Sequence, residues 1–182
     1  MPLDGQTPDE VCQALGLPGF VTEWMPGMPR QELRVLLLPT FHPEICMEFC
    51  ENEGTTMVTV TCAKSKISPF EPPSPALVDQ DSGALVDTSI AELEASLRNA
   101  LIEPDALTQG RDGMDINIFW RTLRAGLIVQ FANSSQHPVL GAFVAQLIPQ
   151  AYLAIKCSAC KDSLAEAGVY VELDLGRSRA GQ

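Results

Sequence analysis

Basic residues are scarce in this chain. Only 12 Lys and Arg stand against 23 Asp and Glu among 182 residues, a net charge of −11. Neutralising phosphates takes clustered Lys and Arg, so the composition speaks against a nucleic-acid partner. An anionic membrane surface would be repelled for the same reason. Long apolar runs are missing too: nothing approaches the roughly 20 residues of a membrane-spanning helix. The opening residues, MPLDGQTPDEVCQ, lack the basic and apolar segments of a secretory signal, and a cytoplasmic location is expected. Histidine is limited to His42 and His137, each followed by Pro. The motifs GxSxG, GxxxxGKS/T and GxGxxG do not occur. No catalytic residue is therefore singled out, and no cofactor is expected.

Apolar residues make up 46% of the chain, enough for a core, and the length suits one domain spanning 1–182. Within it, 1–32 reads as an N-terminal helix and loop extension. In TPDEVCQALG, Thr7 is the expected N-cap, Pro8 the first helical position, Glu10 the reciprocal partner of a capping box and Gly16 the stop. A short strand is expected at Phe20–Trp24, followed by a Pro/Gly loop holding Trp24, Met25 and Met28.

Two pairs of strands follow from residue alternation. ELRVLLLP is apolar on both faces and reads as a buried strand. EICMEFCEN alternates, with Ile45, Met47 and Phe49 on one side and Cys46, Glu48 and Cys50 on the other. TTMVTVTCA alternates again after a turn at Gly54, so these two runs form a hairpin. MDINIFWR and the run holding Leu127, Val129 and Phe131 form a second hairpin. SIAELEASLRNALIEP is a helix, with a capping box of Ser89 and Glu92 and Ile90, Leu93 and Leu97 on one stripe. Another helix starts near Pro138 and is ended or kinked by Pro149. A further helix covers QAYLAIKCSACKDSLAEAG, and VYVELDL reads as a final strand. Residues 65–87, with four prolines, read as a surface loop, and 176–182 as a disordered tail. This order predicts an α+β fold: an antiparallel sheet of about five to six strands, built on two hairpins, with helices packed on one face.

Four groupings invite a chemical reading. His42, Cys46 and Cys50 are four apart, the spacing of a metal site on a helix. The alternation around them indicates a strand instead, where four residues span about 13 Å and one ion cannot be shared. DQDSG, residues 79–83, resembles a calcium loop, but Gly83 falls at the fifth position and not the sixth; a solvated acidic loop is expected. RDGMD places Asp112 and Asp115 near a turn, with nothing to split their pKa values. CSAC, Cys157 and Cys160, is half of a zinc site or a redox pair, placed within or near the end of a helix and flanked by Lys156 and Lys161. The six cysteines are otherwise read as reduced thiols, several of them small buried hydrophobes.

Acid clustering is the most distributed feature. Ten acidic residues lie between Val35 and Leu97, opposed only by Lys64 and Lys66. The expectation is a soluble, acidic, non-catalytic protein-binding module: an inhibitor, an immunity-type antidote or an adaptor. Its partner would be another, basic protein, and self-association is compatible with it. The expected contact residues are Glu48, Glu51, Glu53, Asp79, Asp81 and Trp24. The alternative is a thiol-redox or metal-binding protein using Cys157 and Cys160, with Cys46, Cys50 or His42 as helpers.

Overall fold

A computed structural model describes residues 7–19, 31–67, 74–102, 113–121, 126–131 and 138–175. The elements run α1 (Pro8–Ala14), β1 (Glu32–Pro39), β2 (Ile45–Asn52), β3 (Thr55–Ala63), β4 (Val78–Ala84), α2 (Ile90–Ile102), β5 (Met114–Arg121), β6 (Gly126–Phe131), α3 (Pro138–Ala154) and α4 (Ser158–Val169). The fold is α+β. Six strands form one sheet in the order β4-β3-β2-β1-β5-β6, and each neighbouring pair is antiparallel. Both hairpins expected from the alternation are present, as β2–β3 and β5–β6. Between β2 and β3 the two turn residues Glu53 and Gly54 carry φ of 50° and 77°, the left-handed pair that matches the twist of a tight hairpin.

The register settles which side of β2 faces the main core. Leu33, Val35 and Leu37 of β1 stand beside Phe49, Met47 and Ile45 of β2, and these beside Val58, Val60 and Cys62 of β3. With Met114, Ile116 and Ile118 of β5 they form the floor of the large core. Its roof is Leu93 and Leu97 of α2, Phe143, Val144 and Leu147 of α3, and Cys160 and Leu164 of α4. Each fully buried Leu, Ile or Phe there contributes about 1.5–3 kcal/mol of transfer free energy.

The opposite face carries Glu32, Arg34 and Leu36 of β1, Cys46 and Glu48 of β2, and Phe119 and Arg121 of β5, in register with one another. α1 packs here: Val11, Cys12 and Leu15 join Leu36, Cys46, Ala63 and Phe119 in a second, smaller core. So the three long helices share one face, and the short N-terminal helix covers part of the other. The α1 capping box forms as expected, the Thr7 amide donating to Glu10 Oε2 at 2.7 Å and the Glu10 amide to Thr7 Oγ1 at 3.3 Å. The α2 box forms in the same way between Ser89 and Glu92.

Three expectations are corrected. Residues 65–87 are not a continuous loop, because Val78–Ala84 is edge strand β4, paired along β3. The sequence VDQDSGA has little intrinsic strand preference, and pairing with β3 overrides it. α3 runs through Pro149 to Ala154, and α4 is a separate helix beginning at Ser158. VYVELDL is not a strand: α4 reaches Val169, then reverses through Glu172 at φ 61°, with the Leu173 amide donating back to the Gly168 carbonyl at 2.9 Å. The expected Phe20–Trp24 strand, Asp112, His137 and the tail at 176–182 lie outside the described residues.

Candidate functional site

Two side-chain clusters stand on opposite faces of the sheet. The first is ionic. Alternation in ELR places Glu32 and Arg34 on one side of β1, and antiparallel pairing brings Glu48 beside Arg34 and Arg121 beside Glu32. Arg34 Nη2 donates to Glu32 Oε1 at 2.7 Å and pairs with Glu48 Oε1 at 3.0 Å. Its Nη1 donates to the Pro18 carbonyl at 2.5 Å, tying the chain after α1 to the sheet. Arg121 Nη2 donates to the other Glu32 oxygen. Both guanidinium carbons stand over the Phe119 ring, 5.8 Å and 5.6 Å from its centroid. Glu32, Arg34 and Arg121 are buried. Two positive and two negative groups balance, which is how such charges tolerate removal from water. Burial pushes the Glu48 carboxyl above its usual range, against the pull of Arg34. Burial also raises the thiols of Cys12 (to about 11), Cys46 and Cys50 on this face.

The second cluster is made of thiols. Cys157 is the N-cap residue of α4 but makes no side-chain capping bond. A carboxylate from β4 holds the chain just before the helix: Asp81 Oδ2 accepts the Lys156 and Cys157 amides at 2.5 Å and 2.6 Å, and Oδ1 accepts the Ser82 amide at 2.9 Å. These amides hold the Asp81 carboxyl below its ordinary value. Close by, a Cβ at Gly83 would stand 2.0 Å from the Ala154 carbonyl oxygen, so only glycine lets β4 approach the end of α3 this closely. One turn into α4, Cys160 is buried against β3. Its sulfur lies 3.9 Å from the Val60 carbonyl oxygen, and Cys62 of β3 belongs to the same core with Cys157 packed at its edge. Burial raises the Cys62 thiol to about 11 and the Cys160 thiol further still.

CSAC therefore opens a helix, where the sequence reading put it inside or near the end of one. Cys46 and Cys50 face the opposite side of the sheet and do not join it. His42 is elsewhere, its Nδ1 3.0 Å from the Tyr170 hydroxyl. Among the described residues no group of three or more His, Cys, Asp and Glu is arranged to hold a metal ion. The third thiol, Cys62, was legible in the β3 alternation, since Val58, Val60 and Cys62 share the helix-covered face. The ionic cluster was legible only in part: Glu32 and Arg34 alternate in β1, but nothing local marks Arg121 as their partner.

Most of the described acidic residues of this stretch are engaged in contacts within the chain. Glu44 is buried and pairs with Lys66 at 2.6 Å, Glu48 joins Arg34, Asp79 pairs with Lys64 at 3.1 Å, and Asp81 holds α4. Glu94 accepts the Trp120 indole N–H at 2.7 Å. Glu51 and Glu53 stand exposed at the β2–β3 tip. Trp24 lies outside the described residues. No described helix is long and apolar enough to cross a membrane. No protein-family model matches the chain, and neither a curated protein nor a solved structure matches it.

Proposed function

We propose that this chain is a non-catalytic protein-binding module, of inhibitor, immunity-type antidote or adaptor kind, that recognises a basic partner protein through the tip of the β2–β3 hairpin. The observation that supports it is how the acids are shared out. Lys64 and Lys66 are the only basic residues between Val35 and Leu97, and they are committed to Asp79 and Glu44. Glu51 and Glu53 project from a tight turn with no described cation beside them, so their charge is available to one from outside. Of the six expected contact residues, Glu48, Asp79 and Asp81 serve internal contacts, and the reading narrows to Glu51 and Glu53. Exposed pairing of this kind steers association and weakens with salt.

The test is co-purification from a native lysate with wild type and with a Glu51→Lys, Glu53→Lys variant. A partner should be retained at low salt, released as the screening length falls below about 5 Å, and lost on charge reversal. Equal retention by both proteins at every salt concentration rejects the hairpin tip as the contact.

A further inference from the structure

We infer that β4, the outer strand at one end of the sheet, is the seam of a two-fold dimer in which it pairs antiparallel with β4 of a second copy. The seam uses neither Glu51 nor Glu53.

β4 has β3 on one side only. The pairing runs without a bulge from Met57–Ala84 to Ala63–Val78. Beyond those ends the Leu85 amide donates to the Thr56 carbonyl and the Lys64 amide to the Leu77 carbonyl, each at 2.8 Å. Odd-numbered residues of β4 therefore turn their backbone groups to β3, and Val78, Gln80, Ser82 and Ala84 turn theirs outward. Among the described residues no backbone group answers these four, and of their amides only that of Ser82 is engaged, by Asp81 Oδ1 at 2.9 Å. The open stretch has clear ends. The Ala76 amide donates to the Ala14 carbonyl of α1 at 2.8 Å, and Asp87, at φ 53°, turns the chain away.

An open edge is a template for another strand, and chains commonly blunt it with Lys, Pro or a bulge. Residues 76–86, ALVDQDSGALV, contain neither Lys nor Pro. Leu77 and Val86, 78% and 82% exposed, flank the strand, and Leu153, 80% exposed, adjoins Ala154, whose carbonyl covers Gly83. The two acids offer little to a basic strand, because Asp79 pairs with Lys64 at 3.1 Å and Asp81 is held by three amides.

A second β4 fits this edge. A two-fold axis normal to the sheet keeps like faces together, so outward residues must meet outward residues. An axis at Gln80 would set Asp79 against Asp81, and one at Asp81 would set that residue against its own copy; like charges directly opposite are unfavourable. An axis at Ser82 avoids both. It sets Asp81 against Gly83, which has no side chain, Asp79 against Leu85, Gln80 against Ala84, and Val78 against the exposed Val86 at both ends of the ribbon. Asp87 then turns away opposite Leu77, before the second copy reaches α1. Each copy carries a net charge of −11, so salt strengthens this association, the reverse of its effect on a basic partner at the hairpin tip.

The test is sedimentation equilibrium of the full chain over a concentration series, at about 0.01 M and about 1 M salt. Wild type should show a monomer–dimer equilibrium that shifts toward dimer at high salt. Ala84→Pro removes an outward N–H and leaves the bonds to β3 in place. It should weaken the dimer about tenfold or more, with an unchanged circular dichroism spectrum. If it does not fold, Val86→Asp takes its place, since Val86 is exposed in the single chain. Phe41→Ser, at an exposed apolar residue outside β4, should dimerise as wild type does. Mild oxidation of Ser82→Cys should yield a dimer bridged between the two substituted positions, because hydrogen-bonded antiparallel pairs hold Cα atoms about 5.5 Å apart, within disulfide reach. Wild type that stays monomeric at every concentration and salt overturns the seam. So does wild-type affinity in the folded Ala84→Pro or Val86→Asp variant, loss of the dimer in Phe41→Ser, or bridging of Ser82→Cys through the native cysteines alone.

Discussion

The two faces of the sheet are held together by different physics. Under α2, α3 and α4, contact is apolar, extensive and non-directional. Under α1, a short helix covers a smaller apolar patch beside a balanced set of four charges joined by ion pairs. The first kind of face tolerates changes of shape that conserve volume. The second has no such slack, because removing one member strands the others in a medium that cannot hydrate them. One sheet thus carries a forgiving side and an exacting side, and the exacting side is where the N-terminal segment is tied down through the Pro18 carbonyl.

The largest break in that comparison should come from Glu32→Ala, which leaves Arg121 and Arg34 short of the carboxylate they share. The expected loss is about 3–5 kcal/mol, read as a fall in the urea midpoint. Adding Arg121→Met should recover part of it, since an apolar replacement no longer needs a counter-charge. A loss below about 1 kcal/mol for Glu32→Ala would mean that the cluster is well hydrated and the faces are alike.

A smaller, matched pair sharpens the same point. Leu33 and Arg34 are neighbours in β1 pointing to opposite faces. Leu33→Met conserves volume and should cost less than about 1.5 kcal/mol. Arg34→Lys keeps the charge but loses the planar fork that reaches Pro18, Glu32 and Glu48 together, and should cost about 2 kcal/mol. Equal costs in chemical denaturation would show that the guanidinium geometry is not what holds this face.

How much of this was legible in the sequence depends on range. Alternation marked β2, β3 and β5, and the boxes Thr7/Glu10 and Ser89/Glu92 marked two helix starts, because each is a pattern closed within a few residues. β4 was hidden because VDQDSGA owes its strand geometry to β3. The start of α4 was hidden for a related reason. Good helix formers run from α3 into α4 without a local cap, and the carboxylate that holds the chain at the start of α4 is Asp81, 76 residues away from Cys157. The candidate sites followed the same rule. Glu51 and Glu53 belong to a local turn and were read directly. The ionic cluster and the third thiol needed the register of strands far apart in the chain, so only their separate halves were visible.

Asp81 supplies the smallest and most specific test, because its charge is held by backbone amides at the edge of the largely apolar face. Val60 and Asp81 pair across β3 and β4, so the register places this carboxylate on the helix-covered side, at its edge. Its folded pKa lies below the ordinary value of 3.8, held there by the Cys157, Lys156 and Ser82 amides. A depressed carboxylate contributes stability that is complete above its unfolded pKa and is lost as pH falls through its folded one. Asp81→Asn should therefore unfold at lower urea than wild type near neutral pH. The gap should begin to close as pH drops past 3.8 and vanish once wild-type Asp81 is itself protonated. Measuring the urea midpoint of both proteins along a pH series checks this directly. A gap that stays constant into strong acid would assign the effect of the substitution to packing beside Gly83 and not to the charge.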